Sequence, residues 1–286
     1  MAAIEPKSAA EYDDRTTAAV RSVLIEIGQT LGSYEGRFAV IGGAVPWLLL
    51  PSVEDMRHIG TGDVDLSLDA EALGDGEYAQ LVDSLQRQGY RQRADLRRFQ
   101  LVRTVPARDG GPDIDVVVDF LMPRQAEIEK NTVPLVSGFA VQRADGAELA
   151  IKFHQVVPID GDMPEGGKNH VRIPVASIPA LLAMKGYAME KRLKRKDAYD
   201  IYYCARNYPG GLDRLVDATR ALLHVEAARN GYSLIAGKFR SPADYGPLSV
   251  RRFVEGSPAL GGRTADDWQQ DAFGQVDAWL RGLGLR

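Results

Sequence analysis

The chain has 286 residues, of which 45% are hydrophobic and 26% are charged, and its formal net charge is −4. This length and composition are typical of a globular protein with one large domain or two ordinary ones. They exclude a membrane-spanning segment, because no apolar run approaches the roughly 20 residues required. They also exclude nucleic-acid binding through overall charge, so any nucleic-acid site must be a local basic patch.

The N-terminal residues and the cysteine content predict a cytoplasmic protein. The first fourteen residues, MAAIEPKSAAEYDD, are polar and acidic and lack the apolar core of a signal peptide. The single cysteine, Cys204, cannot form an internal disulfide. The four histidines lie far apart in the sequence, and no His/Cys spacing predicts a zinc site.

The first elements along the chain are a helix, a buried strand and a short second helix. Apolar residues recur with helical spacing over residues 13–31, and Phe38–Ile41 reads as a buried strand. Gly42 and Gly43 then break the strand before a helix over residues 44–50. Because a helix N-terminus with small residues lets backbone N–H groups approach an anion, these two glycines are candidate phosphate contacts.

A second strand carries two aspartates with the same orientation. Asp63 and Asp65 are two residues apart and share one face, while Val64 and Leu66 turn to the core. Two neighbouring carboxylates repel each other unless one is protonated or a cation lies between them. Magnesium is usually held by one or two carboxylates together with substrate phosphates. The glycine turn followed by the strand with two aspartates therefore predicts a nucleoside triphosphate site that uses Mg²⁺, or Mn²⁺ in its place.

A predicted helix over residues 75–88 leads into a predicted hairpin. Its strands cover residues 97–105 and 113–121, with a turn at 109–112. Three aspartates share one face of the second strand, and the opposite face is apolar. The alternation of side chains along the strand does not decide which of the three is a further carboxylate of the site. They are Asp113, Asp115 and Asp119.

The middle of the chain contains the predicted domain boundary. Residues 138–157 are expected to form two strands around a turn at 144–146, and residues 158–167 an exposed loop. The boundary is placed near Ile173. This gives an N-terminal α/β domain of residues 1–172 and a helical C-terminal domain of residues 173–286.

The C-terminal domain begins with a helix capped by Ser177. Lys185 falls on its apolar face, so the side chain either extends to the surface or enters a cleft, and a nearby triphosphate site favours the cleft. A basic run follows, comprising Lys191, Arg192, Lys194, Arg195 and Lys196. Beyond Pro209 the chain is predicted to be helical, with one helix over residues 212–230 and a final helix over residues 265–283, and with no recognisable motif.

The N-terminal pattern resembles the signature of the polymerase-beta-like nucleotidyltransferase superfamily. That signature is a strand, Gly-Gly or Gly-Ser, a helix, and then Asp-x-Asp on the next strand, here with Thr61 two residues before Asp63. The resemblance implies an α/β (α+β) core with a mixed sheet. It also implies metal binding by Asp63, Asp65 and a third carboxylate on a neighbouring strand. Asp115 is the best positional match, Asp113 is the runner-up, and Asp119 is expected at the surface or behind the site.

The basic run resembles a second motif, that of the bacterial AbiEii-type nucleotidyltransferase toxins. The motif is a helical lysine, an arginine, a basic residue with aspartate, and tyrosine-aspartate with an apolar residue. The matching residues are Lys185, Arg192, Lys196-Asp197 and Tyr199-Asp200-Ile201. The two motif blocks cover residues 36–206. Many of these toxins have serine where this chain has Gly43.

The resemblance implies a role for each of these residues. Lys185, as a catalytic residue, and Lys196 would neutralise charge on the leaving pyrophosphate, and Asp197 would orient Lys196 or the nucleotide. Gly42, Gly43 and Thr61 would contact the phosphates.

The resemblance also implies an activity and partners. The toxin would transfer a nucleoside monophosphate from an NTP to an acceptor hydroxyl of tRNA, and an antitoxin would restrain it. Together with the basic run at residues 191–196, six arginines before the third-carboxylate strand could contact RNA phosphates: Arg91, Arg93, Arg97, Arg98, Arg103 and Arg108. The alternatives are an enzyme that modifies a small cationic antibiotic, with Asp113 and Asp119 facing it, and a catalytically silent binding protein.

Overall fold

The computed structural model describes residues 6–50, 56–69, 72–73, 76–125 and 140–286. The chain divides into two compact units. Among the described residues, the first unit contains 14–44 and 61–176, and the second unit contains 6–13, 45–60 and 177–286. The main division falls between Ala176 and Ser177, whereas the predicted boundary near Ile173 lies inside a strand.

The described residues contain seven strands, and all of them belong to one mixed sheet of the first unit. They are β1 (Phe38–Ile41), β2 (Asp63–Leu68), β3 (Gln100–Val105), β4 (Ile114–Pro123), β5 (Gln142–Ala144), β6 (His154–Asp162) and β7 (Lys168–Ala176). The sheet order is β3-β4-β2-β1-β7-β6, with β5 beside β4. The pairs β1–β2, β3–β4 and β6–β7 are antiparallel, and β1–β7, β2–β4 and β4–β5 are parallel.

Ten α-helices lie within the described residues. They are α1 (Asp14–Thr30), α2 (Ala44–Leu49), α3 (Glu77–Arg87), α4 (Ala147–Lys152), α5 (Ile178–Lys191), α6 (Arg195–Asn207), α7 (Leu212–Arg220), α8 (Glu226–Lys238), α9 (Tyr245–Val254) and α10 (Ala265–Gly282). None of the helices in this part of the chain is long and apolar enough to cross a membrane.

The two faces of the sheet differ in polarity, as the alternation of side chains requires. Val64, Leu66 and Val118 lie on one face and have no exposed surface, and α1 packs on the sheet. The opposite face carries the aspartates of β2 and β4. On this face Ser67 donates a hydrogen bond to the carbonyl oxygen of Ala147 (3.0 Å) at the start of α4, so α4 covers the region beyond the aspartates.

The segment after residue 144 differs from the prediction. The turn at 144–146 leads into α4 rather than a strand, and most of the predicted loop at 158–167 belongs to the β6–β7 hairpin. Pro158 was one of the residues on which the predicted loop rested. It pairs with Arg172 on β6, which is the last strand of the sheet order. An edge strand tolerates a residue that has no N–H group to donate.

Small residues set the packing of helices in the second unit. Ser177 caps α5, as predicted, by accepting a hydrogen bond from the backbone N–H of Ala180 (3.4 Å). The helices α5 and α8 approach each other at Gly186 and Gly231. A methyl group on Gly231 would lie 2.3 Å from the carbonyl oxygen of Ala183, and one on Gly186 would lie 2.0 Å from that of Gly231.

Candidate active site

Asp63 and Asp65 stand on the polar face of β2, as the sequence predicted. Both are half-buried. Thr61 is almost completely buried at 1% exposure, and its hydroxyl donates to the Oδ1 atom of Asp63 (2.8 Å) and approaches the Asp63 carbonyl oxygen (3.3 Å). The hydroxyl that was predicted to contact phosphate is therefore directed at a site carboxylate in this structure.

The glycine turn after β1 lies against the carboxylate of Asp65. Ile41 and Asp65 are partners in the antiparallel β1–β2 pair, and Gly42 follows with φ +73°. A Cβ atom on Gly42 would lie 1.8 Å from the Oδ2 atom of Asp65. Both the backbone angle and the space therefore require glycine at this position.

The register of β2 and β4 brings a third aspartate beside this pair, and that residue is Asp119. The two strands are parallel, with Asp65 opposite Asp119 and Asp63 opposite Val117. Residues opposite each other in neighbouring strands have side chains on the same face. Asp119 accepts a hydrogen bond at Oδ1 from the Nε2 atom of Gln100 (2.8 Å).

The structure sets Asp115 opposite neither aspartate of β2, unlike Asp119. Val117 is the partner of Asp63, so Asp115 lies two residues before that partner, diagonal to Asp63 and further from Asp65 than Asp119 is. The sequence favoured Asp115 as the third carboxylate, and the β2–β4 register favours Asp119. The Asp115 carboxylate is exposed, accepts a hydrogen bond from the hydroxyl of Thr104 (2.6 Å) and pairs with Arg93. Burial raises the pKa of Asp115, but these two partners outweigh that effect and lower the pKa below its ordinary value. Asp113 is exposed and accepts a hydrogen bond from the Ala107 backbone N–H (3.0 Å).

The donor set on this face suits a hard divalent cation. Asp63, Asp65 and Asp119 offer only carboxylate oxygens, which Mg²⁺ prefers, and Mg²⁺ completes its shell with water and substrate phosphates. Within the described ranges, no group of three or more His, Cys, Asp or Glu side chains is already close enough to hold a metal ion. These carboxylates therefore fit an open site that water and substrate oxygens would complete.

The second unit contains a separate cluster of buried charges around Lys185. The ammonium of Lys185 donates to Asp197 (2.7 Å) and to Asp200 (2.8 Å), and that of Lys196 donates to Asp200 (2.9 Å). All four side chains are at most 7% exposed. Arg192 completes the cluster through two hydrogen bonds to Asp197 (2.8 and 3.0 Å), and its side chain is 52% exposed.

The pKa values of this cluster follow from burial and charge pairing. Burial lowers the pKa of Lys185, but the Asp197 and Asp200 carboxylates outweigh it and raise that pKa above its ordinary value. Burial lowers the pKa of Lys196, and Asp200 only partly opposes it. Burial raises the pKa of Asp197, yet Lys185 and Arg192 bring it down to about 2.

His58 is a member of this cluster that the sequence did not reveal. Its Nδ1 atom accepts a hydrogen bond from the backbone N–H of Gly60 (3.1 Å), so the proton lies on Nε2, which is 3.2 Å from the Oδ1 atom of Asp200. Burial lowers the pKa of His58 to about 4, with help from the nearby lysines. A lone histidine in a loop gives no sequence signal for such a contact.

The six arginines predicted to face RNA are not equivalent. Arg103 is 5% exposed and donates to Glu26 (2.8 and 3.1 Å) and Glu165 (2.9 Å), so it belongs to the core of the first unit. Arg93 pairs with Asp95 and Asp115, and Arg108 pairs with Asp162 (3.0 Å). The other three are exposed: Arg91, Arg97 and Arg98.

A comparison with solved structures agrees with this fold. A crystal structure of a proposed nucleotidyltransferase from H. pylori is similar, with a TM-score of 0.51 and 10% identity, covering 95% of this chain and 97% of that chain. The crystal structure of JHP933 from Helicobacter pylori has a TM-score of 0.48 and 11% identity, covering 96% and 95%. At 10% identity, the similarity to the first of these structures concerns the fold alone. No curated protein matches the chain.

The family comparison is more specific. Residues 61–276 match the family described as the nucleotidyl transferase AbiEii toxin of a type IV toxin–antitoxin system. The match covers well over half of the chain, including β2, β4 and the buried lysine cluster. The chain therefore belongs to the AbiEii family of nucleotidyltransferase toxins of type IV toxin–antitoxin systems.

Proposed function

We propose that this nucleotidyltransferase uses Mg²⁺, or Mn²⁺, to transfer a nucleoside monophosphate from an NTP to an acceptor hydroxyl, with Asp63, Asp65 and Asp119 as its site carboxylates. The observation that carries the proposal is the β2–β4 register, which sets Asp119 opposite Asp65. The glycine turn against Asp65 supports it, since backbone at this position can approach a phosphate closely.

The proposed mechanism assigns a task to each residue of the first unit. Asp63 and Asp65 would hold the metal, and the chemistry it would supply is stabilisation of negative charge on the reacting oxygens. The backbone N–H groups of Gly42 and Gly43 bind the triphosphate. Asp119 contributes to the same site and accepts the proton of the acceptor hydroxyl. The hydroxyl oxygen then bonds to the α-phosphorus while the bond to the bridging oxygen breaks and pyrophosphate leaves.

Lys185 and Lys196 are proposed to stabilise charge on the pyrophosphate. Asp197, expected to orient Lys196 or the nucleotide, contacts Lys185 and Arg192 instead, and Lys196 donates to Asp200. Asp197 and Asp200 accept hydrogen bonds from two of the three N–H donors of Lys185, so a direct contact with a phosphate oxygen would use the third donor or displace a carboxylate. Arg192 has the most exposed side chain among the cations of the cluster.

The proposed acceptor is tRNA, and the proposed regulator is an antitoxin protein. The family description supports the antitoxin, since it names a toxin–antitoxin system. The acceptor rests on the resemblance to AbiEii-type toxins and on the exposed arginines at 91, 97 and 98. A cytoplasmic location accords with both partners. A cationic antibiotic acceptor has weaker support, because the family description names a toxin of a toxin–antitoxin system and because Asp119 is assigned here to the metal site.

The test is incubation of the protein with each of the four labelled NTPs, Mg²⁺ and total tRNA, followed by gel electrophoresis. We expect label from at least one NTP in the RNA band and none when EDTA is present. A parallel reaction supplies a panel of aminoglycosides in place of RNA. Label on an aminoglycoside but not on RNA would overturn the tRNA acceptor while keeping nucleotidyl transfer.

A further inference from the structure

We propose that Gln100 is a positioning residue that fixes the carboxylate of Asp119 for metal binding. This inference rests on the proposed function of Asp119. Gln100 begins β3 and lies opposite Asp119 in the antiparallel β3–β4 pair. Its Nε2 atom donates to the Oδ1 atom of Asp119 (2.8 Å), so the contact runs between side chains on the polar face.

The orientation of the Gln100 amide is determined by its other hydrogen bond. The Oε1 atom accepts from the backbone N–H of Arg97 (2.9 Å), while the Gln100 N–H donates to the Arg97 carbonyl oxygen (3.0 Å). A flipped amide would place two donors together at Arg97 and two acceptors together at Asp119. The Arg97–Gln100 turn therefore holds the amide so that its NH₂ group faces Asp119.

This contact can orient Asp119 without occupying its capacity for a cation. An ionised carboxylate has about four lone-pair sites, and the hydrogen bond from Gln100 occupies only one of them. Gln100 is also neutral, and thus adds no positive charge that would compete with a metal. Asp115 provides the contrast on the same strand, because its partner Arg93 is a cation.

Thr61 makes an analogous contact with the neighbouring strand. Its hydroxyl donates to the Oδ1 atom of Asp63 at the same distance, 2.8 Å. Two aspartates on adjacent strands are thus each bonded at one oxygen by a neutral donor. Groups that orient metal-ligating carboxylates in this way typically contribute 10- to 100-fold, by order of magnitude, to metal affinity or activity.

The experiment measures Mn²⁺ binding by electron paramagnetic resonance, in the presence of a non-hydrolysable NTP analogue. Gln100→Leu and Gln100→Met both remove the donor, and methionine also keeps the side-chain length. Thr104→Val is the matched control, because Thr104 makes the equivalent contact from β3 to Asp115 (2.6 Å). We expect the Gln100 variants to bind Mn²⁺ roughly 10-fold or more weakly, and Thr104→Val to bind like the parent. Melting temperatures should change by no more than about 2 °C in all three.

Asp119→Asn separates the two ways in which this can fail. If it binds Mn²⁺ like the parent, the metal role of Asp119 is refuted, and the inference about Gln100 is refuted with it. If Asp119→Asn binds weakly while both Gln100 variants bind normally, only the positioning role is refuted. Two other results would also overturn the inference: Mn²⁺ binding weakened equally by Thr104→Val, or a large loss of melting temperature in both Gln100 variants. Either result would show that the Gln100–Asp119 contact serves general stability.

Discussion

At the scale of single residues, Asp115 and Asp119 show how two identical side chains on one strand face acquire different surroundings. Both have the same parity on β4, and only the pairing with β2 and β3 separates them. Asp119 lies opposite Asp65 and Gln100, whereas Asp115 lies opposite Thr104 and pairs with Arg93. Local periodicity predicted the shared face correctly. It could not predict the register, which long-range strand pairing decides.

Gly42 is expected to be essential for activity because of the space around it. Gly42→Ala places a Cβ atom 1.8 Å from the Asp65 Oδ2 atom at a φ of +73°, so we expect transfer activity to fall at least ~10²-fold as the carboxylate is displaced. Gly36→Ala is the matched control. Gly36 has a similar φ of +81° but nothing within 4 Å, so it should cost roughly 1 kcal/mol of stability and little activity. Equal activity in the two variants would contradict the requirement for close approach.

His58 is expected to make stability depend on pH between about 6.5 and 4. The pKa of His58 falls from its ordinary 6.5 to about 4 in the folded chain. Within that window the unfolded chain binds a proton that the folded chain does not. The free energy of unfolding therefore decreases as the pH falls through the window, by about 3 kcal/mol in total, and is fully retained above it.

Urea denaturation of the parent and of His58→Gln at several pH values checks this expectation. The variant should show a weaker dependence in the window. Any decrease in the free energy of unfolding that comes from protonation of Asp197 should occur below this pH window, because the pKa of Asp197 lies at about 2. His224→Gln, at an exposed position, is the control and should behave like the parent. An unchanged dependence in His58→Gln would refute the assigned role of the buried imidazole.

At the scale of elements, the strands and helices that carry local signals were predicted and those shaped by tertiary contacts were not. Strand β1 and the cap of α5 have the predicted positions because apolar runs and Ser177 act locally. The break between α7 and α8 was missed. There Thr219 accepts a hydrogen bond from the indole of Trp279 (2.9 Å), a contact 60 residues apart in sequence that periodicity cannot reveal.

The crossing of α5 and α8 gives a prediction that belongs to this scale. Gly231→Ala directs a methyl group at the backbone carbonyl of Ala183, 2.3 Å away, so the helices must separate. We expect a loss of roughly 1–3 kcal/mol in the free energy of unfolding. Gly237→Ala on the same helix has nothing within 4 Å and should be neutral or stabilising by up to about 1 kcal/mol. Chemical denaturation that ranks the two variants in the opposite order would contradict the close crossing.

At the scale of the whole molecule, a net charge of −4 means that the proposed RNA acceptor would have to bind a local basic surface. Each phosphate contact adds roughly 0.7–0.9 to the slope of log affinity against log salt concentration. Replacing Arg91, Arg97 and Arg98 together with alanine should flatten that slope by about 2. Arg103→Ala should instead reduce stability, because Arg103 is buried against Glu26. Filter binding at several salt concentrations measures the slope, and affinity that ignores salt would contradict a phosphate-binding surface.

The most direct test of the central claim is transfer of label from an α-³²P NTP to the acceptor, measured under single-turnover conditions with Mg²⁺. The parent, Asp65→Ala, Asp119→Asn and Asp115→Asn are compared. We expect no detectable transfer by Asp65→Ala and a loss of at least ~10²-fold for Asp119→Asn, with Asp115→Asn close to the parent. Near-parent transfer by Asp119→Asn together with a large loss in Asp115→Asn would contradict the site built on the β2–β4 register.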